Sequence, residues 1–454
     1  MRFFVAVFAL LVAIAGDEHP AAADPPFAHV IVVIQENRSF DNLFHGFTGA
    51  QTVNAGRDHL NQIVALKPVG FQNSTDPNHG YADLVKAWNG GMMNGFDLTG
   101  STGPPTLAAP APRFPYAYVP QSQTRPYWTL AAHYALADHM FTSALTPTFP
   151  GHMFLISGQA PADDPSVPAA ARGSWAAAGL PWGCTSPQGT VVALFNPDGT
   201  VSNPPAVAYP CFDYPSLGAL LDTKNISWKY YANSDYPYDM WDGSVGAYVA
   251  IRSMYSTSEF AATNVPRYRF FSDVTSCKLP AVSYITPDGG ASDHAGTFGW
   301  TAGPDWVSLI YGSIAQSPCP YYGNTAILVT WDDSGGWYDH VVPPLDSRGH
   351  PLGMRVPLLF IAANAKAHYV SKQQHDFGSI LHFIESNFGL PFLSDSKSGV
   401  ITRDVLADDL SDMWDPHAAA PVSPLTPSQL SSSAHSHTVA FYRDHQSLKS
   451  VDSR

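Results

Sequence analysis

Five short apolar runs divide the chain and predict the strands of a buried sheet. Each run is continuous rather than alternating, which is typical of strands covered on both faces. Helical stretches lie between the runs, for example over residues 127–138 and 380–387. This alternation predicts an α/β fold in which helices sandwich a mainly parallel sheet, with loop-rich insertions. The five runs span residues 29–34, 226–231, 281–285, 326–330 and 356–362.

The start of the chain has the pattern of an export signal. One arginine precedes an apolar run, and small alanines follow it before residue 24. Because the run is shorter than the roughly 20 residues of a membrane span, it predicts a cleaved signal peptide over residues 1–23 rather than an anchor. We therefore expect a secreted or periplasmic protein. One main domain is predicted over residues 24–415, followed by a Ser-, Pro- and His-rich tail over residues 416–454.

Charge is scarce in this chain, and the balance is acidic. Charged residues make up 13% of the 454 residues, whereas an ordinary soluble domain has roughly 25%. The formal net charge is −14. Because the phosphates of nucleic acids require clustered Lys and Arg, the composition argues against a nucleic-acid partner. A local concentration of acidic residues is therefore informative in this sequence.

The four cysteines predict disulfide bonds. Their number is even, no pair has metal-ligand spacing, and export would place them in an oxidising compartment. Pairing by proximity in the sequence, Cys184 with Cys211 and Cys277 with Cys319, is the simplest of the three possible connectivities.

Polar side chains follow three of the predicted strands. Glu36 and Asn37 come after the first run, and the pair Asp332 and Asp333 comes after the fourth; an Asp-His pair follows the third. The carboxyl ends of parallel strands meet at one edge of a sheet, where ligands bind.

Carboxylates that meet there cannot all stay ionised without a cation. An all-oxygen ligand set would suit one divalent ion such as Ca²⁺, Mg²⁺ or Mn²⁺. The alternative is that these residues cap helices and turns, as Asp and Asn often do.

Thr148 is a candidate nucleophile. It precedes an apolar helical stretch over residues 153–157, and a helix N-terminus favours an oxyanion or a phosphate. A bound metal would lower the pKa of its hydroxyl. The alternative is an ordinary N-cap threonine.

Several motifs, in this order, resemble those of a bacterial phosphoesterase family. That family includes phospholipases C and secreted acid phosphatases, and the resemblance implies an alkaline-phosphatase-like α/β fold. The matching segments are ENRSFDN (36–42), DPNH (76–79), PTFPG (147–151), DH (293–294) and WDDSGGWYDH (331–340).

The resemblance also implies roles for individual residues. Thr148 is similar to the family's nucleophile, which also contacts the metal. His79 and His294 are similar to its phosphate-contacting histidines, with His294 as a candidate general acid. The metal ligands carried over are Glu36, Asn37, Asp332, Asp333 and Thr148.

The function implied is a secreted, metal-dependent hydrolase of phosphodiesters, similar to phospholipase C. Its substrates would be phosphate esters, phospholipids among them, with transient contact at a membrane surface. One alternative is an acid phosphatase acting on monoesters, and another is a non-catalytic secreted metal-binding protein. A sulfatase is a poor alternative because none of the four cysteines lies in a C-x-P-x-R-like segment.

One segment departs from the family pattern. Gly151 and His152 stand where the phospholipase branch carries Asn and Arg, which favours the phosphatase-like members. We interpret His152 as a packing or hydrogen-bonding residue. His340 is the last residue of the WDDSGGWYDH motif. A structural role and a role in supporting the metal ligands both stay open for it.

Overall fold

The computed structural model describes most of the chain between residues 25 and 430. The predicted signal peptide lies outside the described residues, as does the end of the predicted tail. The described ranges are 25–103, 113–160, 183–194, 202–204, 206–232, 246–296, 303–393, 399–418 and 420–430.

The centre of the fold is a nine-stranded sheet. All five apolar runs form strands within it, as predicted. In chain order the strands are β1 His29–Gln35, β2 Ala135–Phe141, β3 Trp228–Ala232, β4 Asn264–Pro266, β5 Val282–Ile285, β6 Thr325–Trp331, β7 Arg355–Ile361, β8 Tyr369–Ser371 and β9 His375–Asp376.

The strand order is β4-β3-β5-β1-β6-β7-β2-β8, with β9 also paired to β2. Strands β4, β3, β5, β1 and β6 pair in parallel, as do β2, β8 and β9. Strand β7 runs antiparallel to both of its neighbours. The parallel orientation expected for residues 356–362 is therefore wrong, because a continuous apolar run reports burial and not direction.

One predicted helix is wrong over part of its length. The helix expected over residues 127–138 ends at His133, and strand β2 begins at Ala135. Polar residues Asp138 and His139 interrupt the apolar run of β2, so the sequence does not have the pattern of a buried strand. Strand β2 is important for the candidate site, because it leads to the segment that contains Thr148.

The helix predicted over residues 380–387 lies within a longer one, and local capping explains its bounds. Asp376 accepts a hydrogen bond from the backbone N–H of Gly378 at 2.6 Å, and Gly389 ends the helix at φ +61°. An acidic N-cap and a left-handed glycine are the usual signals at these positions. The described helices are α1 Phe40–Phe44, α2 Tyr81–Trp88, α3 Arg125–His133, α4 Thr148–Ser157, α5 Leu217–Asp222, α6 Arg252–Tyr255, α7 Phe260–Thr263, α8 Arg269–Thr275, α9 Gly303–Ala315, α10 Phe377–Phe388, α11 Arg403–Leu406 and α12 Pro427–Leu430.

Two groups of packed helices flank the sheet. Helix α4 packs with α5 and α10, which also contacts α11, while α3 packs with α9 and α12. Strands β1 and β6 are buried along nearly their whole length. The predicted α/β architecture is therefore confirmed. Among the described helices, none combines the length and the apolar character needed to cross a membrane.

Both predicted disulfide bonds are confirmed. Cys184 is bonded to Cys211, and Cys277 is bonded to Cys319. Short two-stranded ribbons complete the described strands. They pair Ala55–Arg57 with Ile63–Ala65, Lys67–Pro68 with Ala117–Tyr118, Asp76–Pro77 with Ser101–Thr102, and Val192–Ala193 with Val207–Ala208.

Candidate active site

Two neighbouring parallel strands bring the predicted acidic residues together. Glu36 and Asn37 follow β1, and Asp332 and Asp333 follow β6. The Asp332 Oδ1 atom accepts hydrogen bonds from the backbone N–H of Asn37 at 3.0 Å and of Asp333 at 2.8 Å. All four residues are fully buried. The four residues therefore lie close together, as expected from their positions directly after two predicted strands.

A glycine of the WDDSGGWYDH motif (331–340) allows this close approach. Asn37 has a left-handed backbone with φ +59°, which asparagine tolerates better than most residues. Gly335 also has a positive φ, and a Cβ atom at that position would lie 2.2 Å from the carbonyl oxygen of Asn37. Any other residue at 335 would push the end of β1 away from the Asp332–Asp333 segment.

Thr148 reaches the same edge from strand β2. Residues 142–147 connect β2 to α4, and Thr148 is the first residue of that helix. Its Oγ1 atom donates a hydrogen bond to Asp333 Oδ2 at 3.4 Å. Thr148 is partly exposed, whereas the following residues of the helix are buried. A hydroxyl group therefore lies beside the acidic cluster, on a residue that solvent partly reaches.

His79 and His294 lie on the other side of Asn37. The Nδ1 atom of His79 is 2.7 Å from the carbonyl oxygen of Pro77, and the Nδ1 atom of His294 is 2.6 Å from that of Ala295. A backbone carbonyl accepts only, so each Nδ1 carries a proton, and each Nε2 of the neutral ring is an acceptor. Both Nε2 atoms face the amide of Asn37, at 2.8 Å for His79 and 3.0 Å for His294.

Two amide orientations of Asn37 are possible, and neutral imidazole rings at His79 and His294 favour one of them. In that orientation the amide nitrogen donates to His79 Nε2, so its oxygen faces carboxylate oxygens of Asp332 at 3.2 Å and Glu36 at 3.3 Å. The opposite orientation would require protonated Nε2 atoms. Oxygen atoms that face one another repel unless a cation lies between them. In addition, Asp332 Oδ2 is buried and has no hydrogen-bond partner among the described residues. The residues thus fit a divalent cation.

The electrostatics of the acidic cluster lead to the same conclusion. Burial, together with the nearby charge of Asp333, raises the pKa of Glu36 to about 8. Burial also raises the pKa of Asp332 well above its usual range, with repulsion from Glu36 as the next cause. Ionised forms of these groups are costly because they are desolvated together, and a bound cation would offset that cost.

The sequence did not single out His152 as a site residue, but the structure places it in this cluster. Its Nε2 atom lies 3.2 Å from Glu36 Oε1 and 3.7 Å from Asp332 Oδ2. All three side chains are fully buried, and burial lowers the pKa of His152, which favours the neutral imidazole. Hydrogen bonding was expected for this residue, but its partner is one of the predicted metal ligands.

Asp76 is a second residue whose place the sequence did not predict. Its Oδ1 atom is 3.7 Å from His79 Nδ1, and its Oδ2 atom is 4.0 Å from His294 Nε2. The DPNH motif could have indicated that Asp76 lies near the site, because Asp76 is three residues before His79. No comparable signal existed for His152, since a lone histidine inside an apolar helix is usually a packing residue.

His340 and Arg38 belong to structural networks. His340 Nδ1 is 2.6 Å from Asp41 Oδ2, and Asp41 also accepts a hydrogen bond from buried Arg355 at 3.3 Å. Arg38 donates to the backbone carbonyls of Asp293 at 2.8 Å and Phe71 at 3.2 Å. These contacts hold the ends of β1 and β6 in place, and they support a structural interpretation of His340.

Comparisons with known proteins find similar sequences over most of the chain. A family model described as the Phosphoesterase family matches residues 27–391. Phospholipase C A of Mycobacterium tuberculosis (strain CDC 1551 / Oshkosh) is 23% identical over 428 residues, covering 80% of this chain and 73% of that protein. A non-hemolytic phospholipase C of Burkholderia pseudomallei is 23% identical over 421 residues, covering 79% of this chain and 55% of that protein.

A solved protein of the alkaline phosphatase superfamily from Vibrio parahaemolyticus is 10% identical to this chain. The two align with a TM-score of 0.35, over 85% of this chain and 71% of that chain.

Buried acids, imidazoles and one partly exposed hydroxyl meet at the carboxyl edge of an α/β sheet, which is the arrangement of a hydrolytic enzyme. The family match covers well over half of the chain, and on that ground the protein belongs to the Phosphoesterase family. It is a phosphoester hydrolase.

Proposed function

We propose that this enzyme hydrolyses phosphodiesters in the manner of a phospholipase C, with Thr148 as the nucleophile. The observation that carries the proposal is the position of the Thr148 hydroxyl. It lies 3.4 Å from Asp333, is partly exposed, and begins a helix at the edge where the acidic cluster lies. Relatives named phospholipase C support the choice of substrate class.

The residues that would hold the cation are Glu36, Asn37, Asp332, Asp333 and Thr148. The opposed oxygens of Asn37, Glu36 and Asp332 support this ligand set. When bound, a divalent ion would lower the pKa of the hydroxyl and stabilise negative charge on phosphoryl oxygens.

The protein groups around Thr148 suit nucleophilic attack on phosphorus. Asp333 accepts the hydrogen bond of the Thr148 hydroxyl and so orients its oxygen. Thr148 is also the first residue of a ten-residue helix, so the positive end of the helix dipole lies beside the phosphoryl group. The Thr148 oxygen attacks phosphorus, its proton passes to Asp333, and the bond to the leaving alcohol breaks. The intermediate is a phosphodiester of Thr148, which water later hydrolyses to release the phosphomonoester.

His79 and His294 would contact the phosphate group and the leaving alcohol. Both rings are mostly buried and present Nε2 toward the same side of Asn37. We assign His294 the donation of a proton to the leaving alkoxide, for which it must first be protonated. The negative charge of the bound phosphate would favour that form, which burial alone disfavours.

The charge of the site supports a diester over a monoester. Three carboxylates outweigh a single divalent cation, and the ion-pair partner of both Glu36 and Asp332 is His152 rather than a Lys or Arg. A phosphodiester carries one negative charge, whereas a monoester carries two near neutral pH. Repulsion is therefore weaker for the diester.

The test compares phosphatidylcholine with a simple aryl phosphate in wild-type protein and in Thr148→Ala. We expect wild type to prefer the diester and Thr148→Ala to lose at least about 10³-fold in kcat on it, as removal of a nucleophile usually does. Thr148→Ser keeps a hydroxyl and is expected to retain part of the activity. Thr146→Ala, in the same loop, is the matched control and is expected to keep most of it.

Two results would contradict the proposal. An active and folded Thr148→Ala protein would remove Thr148 from the mechanism. Faster hydrolysis of the aryl phosphate by wild type would identify the enzyme as an acid phosphatase instead.

We further propose that the enzyme is exported, and that its contact with a membrane surface is transient. Two disulfide bonds support an oxidising compartment. Of the aromatic segments that could contact lipid, residues 115–118 pack inward, because Tyr116 is buried and Tyr118 stacks on His45. The second aromatic segment, residues 236–241, lies outside the described residues.

A further inference from the structure

We propose that His152 is a direct ligand of the active-site cation and that it changes the metal preference of the site. This inference rests on the proposed function, since it concerns the same cation. With His152 the ligand set contains nitrogen as well as oxygen. Such a set favours Zn²⁺, Mn²⁺ or Co²⁺ over Ca²⁺ and Mg²⁺, because imidazole binds the former ions more strongly.

The distances between the potential ligand atoms fit one ion. His152 Nε2 is 3.2 Å from Glu36 Oε1 and 3.7 Å from Asp332 Oδ2. The three residues form a fully buried group whose ligand atoms all lie within 4.8 Å of one another. Zinc–nitrogen and zinc–oxygen bonds are about 2.0–2.2 Å, so two ligands of one zinc ion lie roughly 3–4 Å apart.

The position of His152 on its helix makes this approach possible. Thr148 and His152 are four residues apart on α4, so their side chains lie on the same face of the helix. Gly151 lies against the backbone of Asp332, where even a Cβ atom would be too close. The helix therefore presents both a hydroxyl and an imidazole to the strand ends that carry the acids.

The second nitrogen of His152 also has a partner. Tyr230 Oη lies 3.4 Å from Nδ1, and both residues are buried. A proton on Nδ1 that is shared with this hydroxyl leaves the lone pair of Nε2 directed at Glu36 and Asp332. Metal-binding histidines usually have such a partner on their second nitrogen. In addition, Asp332 Oδ2, which faces His152, has no hydrogen-bond partner among the described residues.

The competing interpretation is a hydrogen bond alone. In that case Nε2 carries the proton and donates it to Glu36, and His152 orients a ligand without contacting the ion. The two interpretations differ in whether nitrogen is bound to the metal, so a measurement on the metal itself separates them.

The first experiment measures metal affinity in the full-length protein. The stripped protein is titrated with Zn²⁺ and with Mg²⁺ by calorimetry, for wild type, His152→Gln and His133→Gln. We expect His152→Gln to bind Zn²⁺ at least about 100-fold more weakly and Mg²⁺ less than about tenfold more weakly. His133 is the matched control, because it is a helical histidine whose ring contacts the carbonyl oxygen of Ser423 instead of the cluster. Equal Zn²⁺ affinity in wild type and in His152→Gln would overturn the proposal.

The second experiment detects the metal-bound nitrogen directly. Wild-type protein loaded with Mn²⁺ is studied by pulsed electron paramagnetic resonance, with ordinary and with ¹⁵N-labelled histidine. We expect the coupling of a directly bound imidazole nitrogen, changed by the label and lost in His152→Gln. An absent coupling, or one that persists in a folded His152→Gln protein, would overturn the assignment of His152 alone. A wild-type protein that binds no divalent ion would instead overturn the cation of the proposed function as well.

Discussion

At the scale of single residues, the absence of one side chain determines the geometry of the site. Gly151 lies in α4 directly against Asp332, and a Cβ atom there would be 2.4 Å from the carbonyl oxygen of Asp332. No real Cβ contact is that short, so a larger residue must move the helix or the strand end. Because Thr148 and His152 are on the same helix, both would move together.

Gly151→Ala is therefore expected to lower phosphodiesterase activity. A displacement of about 1 Å at the reacting groups costs on the order of 100-fold in rate. The measurement is kcat/KM on phosphatidylcholine, together with a thermal unfolding curve. Gly312→Ala is the control, because Gly312 is also helical and its Cβ would lie 3.5 Å from Gln316 Nε2, an ordinary contact distance. Equal losses in the two variants would contradict the steric argument.

At the scale of elements, a buried pair of carboxyl groups joins two helices on one face of the sheet. Glu385 lies in α10 and Asp404 in α11, and the backbone N–H of Leu393 lies 3.2 Å from the first and 2.8 Å from the second. Burial, with the neighbouring charge of Asp404 as the next cause, raises the pKa of Glu385 to about 9. A protonated Glu385 avoids charge repulsion with Asp404 in this contact.

This pair predicts a loss of stability at high pH. A carboxyl group whose pKa is raised on folding contributes stability that is complete below its unfolded pKa and is lost as pH rises through the folded value. Between pH 6 and 9 the free energy of unfolding is expected to fall by on the order of 1–3 kcal/mol through Glu385. Glu385→Gln stays neutral and should flatten this dependence, as measured by denaturant unfolding at both pH values.

The control for this experiment is Glu259→Gln, since Glu259 is exposed. Its pH dependence should follow that of wild type. If Glu385→Gln shows the same fall as wild type, another group is responsible.

At the scale of the whole molecule, two disulfide bonds brace the fold outside the acidic cluster. They close loops between cysteines that are 27 and 42 positions apart. In the loop-entropy model, cross-links of this length stabilise a protein by about 3–4 kcal/mol each. The described hydrogen bonds of Glu36, Asp332 and Thr148 include no cysteine, so we expect the disulfide bonds to stabilise the fold without positioning the site.

Replacement of either cystine by two serines should therefore separate stability from activity. We expect the free energy of unfolding to fall by up to about 3–4 kcal/mol for each pair, with kcat unchanged well below the melting temperature. Denaturant unfolding and a phosphodiester assay at low temperature measure the two quantities. A large loss of kcat in a folded variant would show that a disulfide also positions the site.

Much of the fold and of the candidate site follows from local patterns. Five strands were predictable because continuous apolar runs indicate burial on both faces. Glu36, Asn37, Asp332 and Asp333 were predictable because polar residues directly after parallel strands meet at one edge. Thr148 was a candidate from its place before a helical stretch, and the family motifs added roles for His79 and His294. The structure brings all of these residues to that edge.

The other features of the fold and of the candidate site depend on contacts between segments that are distant in the sequence. Strand β2 could not be predicted, because its buried Asp138 is paired with residues that are distant in the sequence, among them Arg355 on β7 at 3.0 Å and Lys372. Strand β7 pairs with β2 in antiparallel orientation, which is also a contact between segments distant in the sequence. The position of His152 depends on how closely α4 approaches Asp332. The sequence alone therefore determined which segments are buried and which groups carry the chemistry, since both are local properties of residue type and order. Only the tertiary structure decided the direction of strand β7 and the position of the His152 imidazole beside the acidic residues, because packing between distant segments sets both.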